Sequence, residues 1–256
     1  MQSFALLLQT TISCFVSSLP ADLIQKMLTG TLRSILICKK CGCKRTQTES
    51  FSNVSLPLAK ELSSNDPLSK SNTRRGKITV RSILDHFTRP ESLADPVYCP
   101  SCNGKTKTTK QHTFAKLPKI LCLHLKRFDA ATNKKISEFV SFPAQLNVGP
   151  FLPHWCEVIQ GMKASEHTAE PDGDNNAQKA KSCSSAIMYD LHATINHTGT
   201  LHQGHYVANV RVDRKWYHCN DAHVFDAGEG DGEKAVLEAA VGEAYMLFYI
   251  RRDVQK

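Results

Sequence analysis

No long basic block with interleaved aromatics occurs in this 256-residue chain. The basic residues are spread out, with short runs such as Lys39-Lys40, Arg74-Arg75 and Lys134-Lys135. That pattern argues against nucleic-acid binding as the main activity. A bilayer-spanning run is also absent. Phe4 to Leu19 is fairly apolar, but Gln9, Thr10, Thr11 and Ser13 interrupt it. No Lys or Arg precedes it, so it fits neither a membrane span nor a secretory signal. No internal repeat is visible, which excludes a solenoid. The ten cysteines are too sparse for a secreted disulfide scaffold of this length.

What is present suits a globular chain with a real core. Hydrophobic residues make up 41% and charged residues 22%, ordinary values for such a domain. The net charge of +8 permits association with acidic partners.

Two cysteine pairs have knuckle spacing, Cys38-x-x-Cys41 and Cys99-x-x-Cys102. Four thiolates from two such knuckles can surround one zinc ion tetrahedrally, leaving no open position, so the expected role is structural. The 57 residues between the knuckles exceed the interval of a compact zinc ribbon. They are expected to bridge two arms of a hairpin-like lobe, with a Val80–Phe87 helix between them. Cys43 competes with Cys41 as a ligand, and the two-residue spacing favours Cys41. Cys122, Cys156, Cys183 and Cys219 have no partner spacing. Cys122 and Cys219 fall in apparent strands and read as buried thiols of a protein in a reducing compartment.

Along the chain, Asp22–Leu28 reads as a short helix and Leu32–Thr48 as a hairpin around the first knuckle. Phe51–Leu58 reads as a strand with Val54, Leu56 and Leu58 alternating. Ser63–Lys77 is a polar loop. Thr79 is placed to cap the Val80–Phe87 helix. Leu121, Leu123 and Leu125 alternate with Cys122, His124 and Lys126, as in a strand with one face in the core. Ala164–Ser185 is polar and reads as a disordered insertion. Strands are expected at Met188–Asn196, His205–Val212, Lys215–Cys219 and Ala244–Arg251, with a short helix within Gly228–Ala240.

The strongest catalytic signal is Gly204-His205-Tyr206, followed after Trp216 by Asn220-Asp221. A histidine beside an Asn or Asp can act as a general base whose tautomer and ring orientation the partner fixes. Gly199 and Gly204 flank an expected flexible loop, Asn196–Gln203, and a glycine before the base lets a substrate backbone approach. A hairpin from His205 to Asn220 brings the pair together. No convincing nucleophile accompanies it.

In order, these segments resemble the ubiquitin-specific proteases, papain-like cysteine deubiquitinases. The motifs are Cys38-x-x-Cys41, Tyr98-Cys99-x-x-Cys102, Leu117-Pro118-x-Ile120-Leu121, Leu123-His124-Leu125-Lys126-Arg127-Phe128 and Lys134-Lys135-Ile136 leading to Val140-x-Phe142-Pro143. The series continues with Tyr189-x-Leu191, His197-x-Gly199, Gly204-His205-Tyr206, Lys215-Trp216, Asn220-Asp221 and Ala244-Tyr245-x-Leu247-Phe248-Tyr249. The flavour is that of histone-deubiquitinating members. The resemblance implies an α+β fold of mainly antiparallel fingers and palm, with the helical thumb largely missing. It implies a non-family leader over 1–24 and a partial catalytic domain over 25–251, with fingers about 30–112 and palm about 113–251. It makes His205 the base, Asn220 its orienter and Asp221 the adjacent polar residue. It implies that the Asn196–Gly204 loop covers the ubiquitin tail and that one structural Zn2+ sits on Cys38, Cys41, Cys99 and Cys102. The partners it implies are ubiquitin and ubiquitinated proteins such as histones, with no direct nucleic acid and no membrane expected, in the nucleus or cytoplasm. The reaction it implies is thiol-dependent hydrolysis of the isopeptide bond after the ubiquitin C-terminal glycine.

The pattern departs from the family at its nucleophile. The Gly-Asn-Thr-Cys box and the Gln-Asp-Ala-x-Glu segment are not found, and Cys14 in Thr11-Ile12-Ser13-Cys14-Phe15 is only a distant echo. Three explanations stand: a partial chain of an active enzyme, which is favoured; a pseudo-enzyme that binds ubiquitin; or a thumb supplied by another polypeptide. A non-catalytic zinc-containing ubiquitin binder is the alternative from another class. A zinc-dependent nucleic-acid binder leaves Gly204-His205-Tyr206 unexplained.

Overall fold

The computed structural model describes residues 20–58, 78–129, 132, 134–152, 187–200, 203–230, 234, 238 and 240–254. Cys14, Cys156, Cys183, the Ser63–Lys77 loop and the Ala164–Ser185 insertion lie outside the described residues. Helix α1 (Ala21–Leu28) follows Pro20 and turns Ile24 and Leu28, one turn apart, toward a shared apolar cluster. Strands β1 (Gly30–Cys38) and β2 (Lys44–Phe51) form the expected antiparallel hairpin, closed by the first cysteine knuckle. Strand β3 (Val54–Pro57) is shorter than expected because Phe51 still belongs to β2. Val54, Leu56 and Leu58 are buried in alternation.

Strand β4 (Ile78–Thr79) leads directly into α2 (Val80–Thr88). Thr79 Oγ1 accepts from the Ser82 amide at 3.0 Å, and Ser82 Oγ accepts from the Thr79 amide at 3.1 Å. This reciprocal cap satisfies two otherwise orphaned donors. The helix stops at Arg89, whose extended backbone (ψ 144°) is what the following Pro90 requires. Val80, Ile83 and Leu84 are fully buried in the main core with Leu56, Leu125, Phe142 and Val148. The expectation that this helix lies between the two knuckles is therefore corrected. Its apolar stripe is too strong to leave at a thin finger, and the palm core takes it.

The remaining elements are β5 (Glu91–Ser92), β6 (Val97–Cys99), β7 (Gly104–Thr106), β8 (Thr108–Lys116), β9 (Ile120–Lys126), β10 (Phe128–Asp129), β11 (Lys134–Lys135), β12 (Val140–Ser141), β13 (Gln145–Asn147), a 3-10 turn (Gly149–Phe151), β14 (Met188–Gly199), β15 (Gly204–Val212), β16 (Lys215–Asn220), β17 (His223–Gly228) and β18 (Ala244–Arg251). They make two main sheets. The finger sheet runs β2-β1-β8-β5, and the palm sheet runs β17-β16-β15-β14-β18-β9-β3, with β13 also paired to β14. The boundary expected near 112/113 falls inside β8. Lys234, Glu238 and Ala240 are helical. Among the described residues no helix is long and apolar enough to cross a membrane.

The palm sheet is covered on both faces. One holds the main core, including Leu121, Leu123, Leu125, Leu247 and Tyr249. The other holds Leu28, Cys122, Ala193, Ile195, Val210, Met246 and Phe248. The expectation of one core face for β9 is corrected accordingly: Cys122 is buried on the second face, and burial pushes its thiol up. A register irregularity between Leu191 and Ala193 shifts the alternation of β14. Tyr189 and Leu191 point to the main core, while Ala193 and Ile195 point to the other face.

Arg127 ties the palm to the segment before β18. Its guanidinium is buried and donates to the carbonyls of Ala244 (2.6 Å), Ile136 (3.1 Å), Glu138 (2.9 Å) and Val241 (3.4 Å). A methionine of similar length would leave those acceptors buried and unpaired. Arg127→Met is expected to lower the unfolding free energy by about 3–5 kcal/mol, read from urea denaturation.

Candidate active site and metal centre

The two knuckles meet at the end of the finger sheet. Because Cys38 pairs with Thr108 in the β1–β8 register, the first knuckle lies beside the β6–β7 turn that carries the second. The Lys39 amide donates to the Lys107 carbonyl at 2.9 Å, joining them directly. Within the first knuckle, the Cys38 amide donates to the Cys43 carbonyl (3.0 Å) and the Gly42 amide to the Cys38 carbonyl (2.9 Å), with Gly42 at φ +73°. Cys43 thus contributes its carbonyl, and Cys41 contributes the thiol.

The Sγ atoms of Cys38, Cys41, Cys99 and Cys102 all lie within 4.8 Å of one another. The Cys38–Cys102 and Cys41–Cys99 separations are 3.9 and 3.6 Å. A tetrahedron with zinc–sulfur bonds of about 2.3 Å has edges of about 3.8 Å. The donor set therefore fits Zn2+ in size, softness and number, and its role is structural. The Thr106 hydroxyl, 3.2 Å from Cys38 Sγ, is the main influence holding that thiol down at about 6. Its neighbour Cys41 is the main influence pushing Cys102 up to about 12. Four thiols this close cannot all ionise without a cation between them, which a dication supplies.

His205 opens β15 and Asn220 closes β16, and the hairpin between them brings His205 Nε2 to 2.6 Å from Asn220 Oδ1. The amide oxygen can only accept, so Nε2 carries the proton and Nδ1 keeps its lone pair. Asp221 sits in the next turn at φ +50°, apart from this bond. Among the described residues His205 hydrogen-bonds Asn220 and no cysteine. His205 is exposed.

Three supports missed in the sequence hold this pair. The Asn209 side-chain amide donates to Thr194 Oγ1 (3.1 Å), and His218 Nδ1 donates to Asn209 Oδ1 (2.8 Å), stapling β14, β15 and β16 together. Lys135 Nζ donates to the His197 carbonyl (2.5 Å), the His197 amide to the Glu243 carbonyl (2.9 Å), and Thr198 Oγ1 to Glu243 Oε2 (3.1 Å). Strand β17 adds a further partner to β16, where the sequence suggested only an undefined segment. Cross-strand side-chain matches leave no periodic signal, and none of these supports has a motif of its own.

The expected loop Asn196–Gln203 is also corrected. Strand β14 continues to Gly199, and the Thr200 amide donates to the Gln203 carbonyl (2.7 Å) while the Gln203 amide donates to Thr200 Oγ1 (3.2 Å), closing the hairpin. Gly204 has a local reason to be glycine: a Cβ there would collide with the His197 ring and lie 2.7 Å from the Thr198 carbonyl. That ring is buried beside Tyr206, with centroids 4.6 Å apart, and burial draws its pKa down.

The framework is shared with solved structures. A chain of the SAGA DUB module Ubp8/Sgf11/Sus1/Sgf73 bound to monoubiquitin is 25% identical, with a TM-score of 0.63, over 97% of this chain and 47% of that one. The same module bound to ubiquitin aldehyde is 24% identical with a TM-score of 0.62, over 97% and 48%, a likeness of fold. The class is therefore the mainly antiparallel, zinc-fingered α+β fold of the ubiquitin-specific proteases. The chain belongs to the ubiquitin carboxyl-terminal hydrolase family, whose sequence model matches residues 2–249. It is 34% identical to ubiquitin carboxyl-terminal hydrolase 51 of Mus musculus over 244 residues, covering 91% of this chain and 34% of that protein. It is 32% identical to ubiquitin carboxyl-terminal hydrolase 22 of Homo sapiens over 241 residues, covering 89% and 42%. The chain thus spans between a third and a half of the length of these relatives.

Zinc binding requires thiolates, so affinity must rise with pH. Protons compete with zinc for all four thiols, so the purified chain is expected to hold about one zinc at neutral pH and to release it on acidification, followed by a chromogenic chelator. Cys99→Ser is expected to release it at neutral pH and melt the finger tip; a metal-free protein with unchanged amide exchange in β1 and β8 would contradict this.

Proposed function

We propose that this chain supplies the ubiquitin-gripping fingers and the proton-transfer half of a thiol-dependent deubiquitinase. The observation that carries the reading is the 2.6 Å bond between His205 Nε2 and Asn220 Oδ1. It fixes the tautomer that leaves Nδ1 as a base, and an amide does so without adding a charge. In this role His205 takes the proton of a cysteine thiol, and the thiolate attacks the carbonyl carbon of the ubiquitin C-terminal glycine. The tetrahedral intermediate then collapses to a thioester as the imidazolium returns the proton to the departing lysine amine. Water, deprotonated by His205, hydrolyses the thioester and regenerates the thiol.

Asn220 is a positioning residue here, with Asp221 adjacent. The Lys135–His197–Glu243–Thr198 anchor sets the height of the β14–β15 hairpin, over which the ubiquitin tail would pass. The zinc-held finger sheet would grip the body of ubiquitin. The likeness to a module solved with monoubiquitin supports ubiquitin as partner, and the subgroup supports ubiquitinated histones as substrates, in the nucleus or cytoplasm. A purely binding role shares the fingers but has no chemical use for a preset imidazole.

In a form of the protein that carries a nucleophilic cysteine, His205→Ala is expected to lower kcat/KM on a fluorogenic ubiquitin amide by ~10²–10⁴-fold. Ubiquitin affinity, measured by calorimetry, should stay within about twofold, since the imidazole acts on the reacting bond and not on the ubiquitin body. Unchanged turnover would remove His205 as the base. Ubiquitin binding without turnover in the unsubstituted protein would favour the binding-only role.

A further inference from the structure

The fold assembles a cationic surface that the linear sequence keeps apart. Lys39 and Lys40 lie in the first knuckle, Lys44 and Arg45 open β2, and Lys105 and Lys107 flank the end of β7. The Lys39 amide to Lys107 carbonyl bond of 2.9 Å brings these segments to one tip. The five lysines are exposed and Arg45 is half-buried. No Asp or Glu occurs in residues 38–48 or 96–112. Among the described residues none of the six cations is in an ion pair. Two acids lie near: Glu91 stands opposite Lys110 in the β5–β8 register, beside Ser92, whose hydroxyl accepts from Lys39 Nζ at 2.6 Å, and Asp95 lies in the link between β5 and β6.

Part of this charge has a local use. A zinc ion with four thiolates carries a net charge of −2, and neighbouring cations stabilise it. Six cations exceed that need: after the −2 of the cluster and the two acids Glu91 and Asp95, the tip keeps a surplus of two positive charges. Concentrated at one end of a narrow sheet, like charges repel and cost stability unless a polyanion neutralises them.

We propose that the finger tip binds single-stranded nucleic acid through its phosphate backbone. Three features select this partner over an acidic protein. Five of the six cations are lysines, which act as point charges, whereas paired carboxylates favour the arginine fork. Lys44 and Arg45 are adjacent in a strand and so point to opposite faces of the tip, which suits a flexible polyanion that can wrap. Tyr98, 51% exposed, stands opposite Lys105 across the β6–β7 pair. Its hydroxyl donates to Asn103 Oδ1 at 2.8 Å, which holds the ring in place as a stacking platform for an unpaired base. This departs from the expectation of no direct nucleic acid, which considered only contiguous basic runs. It does not depend on the deubiquitinase reading.

The test uses the zinc-loaded chain and a fluorescent mixed-sequence single strand of about 20 nucleotides, followed by anisotropy over a salt series. Lys39→Gln/Lys40→Gln/Lys105→Gln/Lys107→Gln is expected to weaken binding at least ~10-fold and to flatten the log K against log salt slope by about 3. Lys116→Gln/Lys119→Gln/Lys134→Gln/Arg214→Gln changes net charge equally but lies away from the tip, and is expected to lose under about threefold. Tyr98→Ala is expected to weaken single-strand binding by about fivefold or more and to leave duplex binding unchanged. Zinc content, assayed in every variant, should be retained. Equal losses in the two lysine sets, tighter binding to a duplex, equal competition by poly-glutamate, or no binding at low salt would each overturn the proposal.

Discussion

The double pairing of β14, with β18 on one side and β15 on the other, is the constraint on which both halves of the palm depend. A strand paired on both edges cannot slip, because a one-residue shift would exchange its two buried faces. The irregularity between Leu191 and Ala193 then lets one strand serve two cores, Tyr189 and Leu191 in one and Ala193 and Ile195 in the other. Beyond that point β14 places Thr194 against Asn209 and Thr198 against Glu243. His205 is held by a framework already fixed for packing reasons, and the Asn220 bond supplies only the final orientation.

Much of the fold was legible because local chemistry and tertiary structure agreed. The Thr79 cap, the Val80–Ile83–Leu84 stripe and Pro90 mark α2 without help from the rest of the chain. The two Cys-x-x-Cys spacings mark the metal ligands, since a knuckle is itself a local turn. The His205–Asn220 pairing was legible because both residues end strands of one hairpin. Other features depend on partners distant in sequence. The bonds of Arg127 reach residues 136, 138, 241 and 244, and nothing in their spacing announces them. Cys122 is buried as its strand position suggested, but the second core face of β9 was missed because alternation assumes one wet face, whereas Leu28 and Phe248 belong to a second apolar layer. Strand β17, with Val224 and Phe225 exposed, lacks the buried alternation that identifies a strand.

Glycine carries different meanings within one short hairpin. At Gly199 the backbone itself demands it, with φ +111° and the Gln203 carbonyl 2.5 Å from any added Cβ. At Gly204 the demand comes from the neighbouring strand, whose His197 ring occupies the space of a side chain. Openness toward a substrate, suggested by position before a base, is not needed to explain either. Packing beneath the site accounts for a glycine that chemistry alone would have assigned to catalysis.

The metal knuckles also close a ring of chain. From Cys41 the backbone leaves the finger, contributes β3 and α2 to the palm core, and returns to Cys99. Clamping those ends together restricts the unfolded chain much as a long cross-link would, and the benefit of closing so long a loop grows only slowly with its length. The restriction falls on the very segment that fills the palm with Leu56, Ile83 and Leu84. An ion at the far end of the finger thus shares in the cooperativity of a core that it never touches.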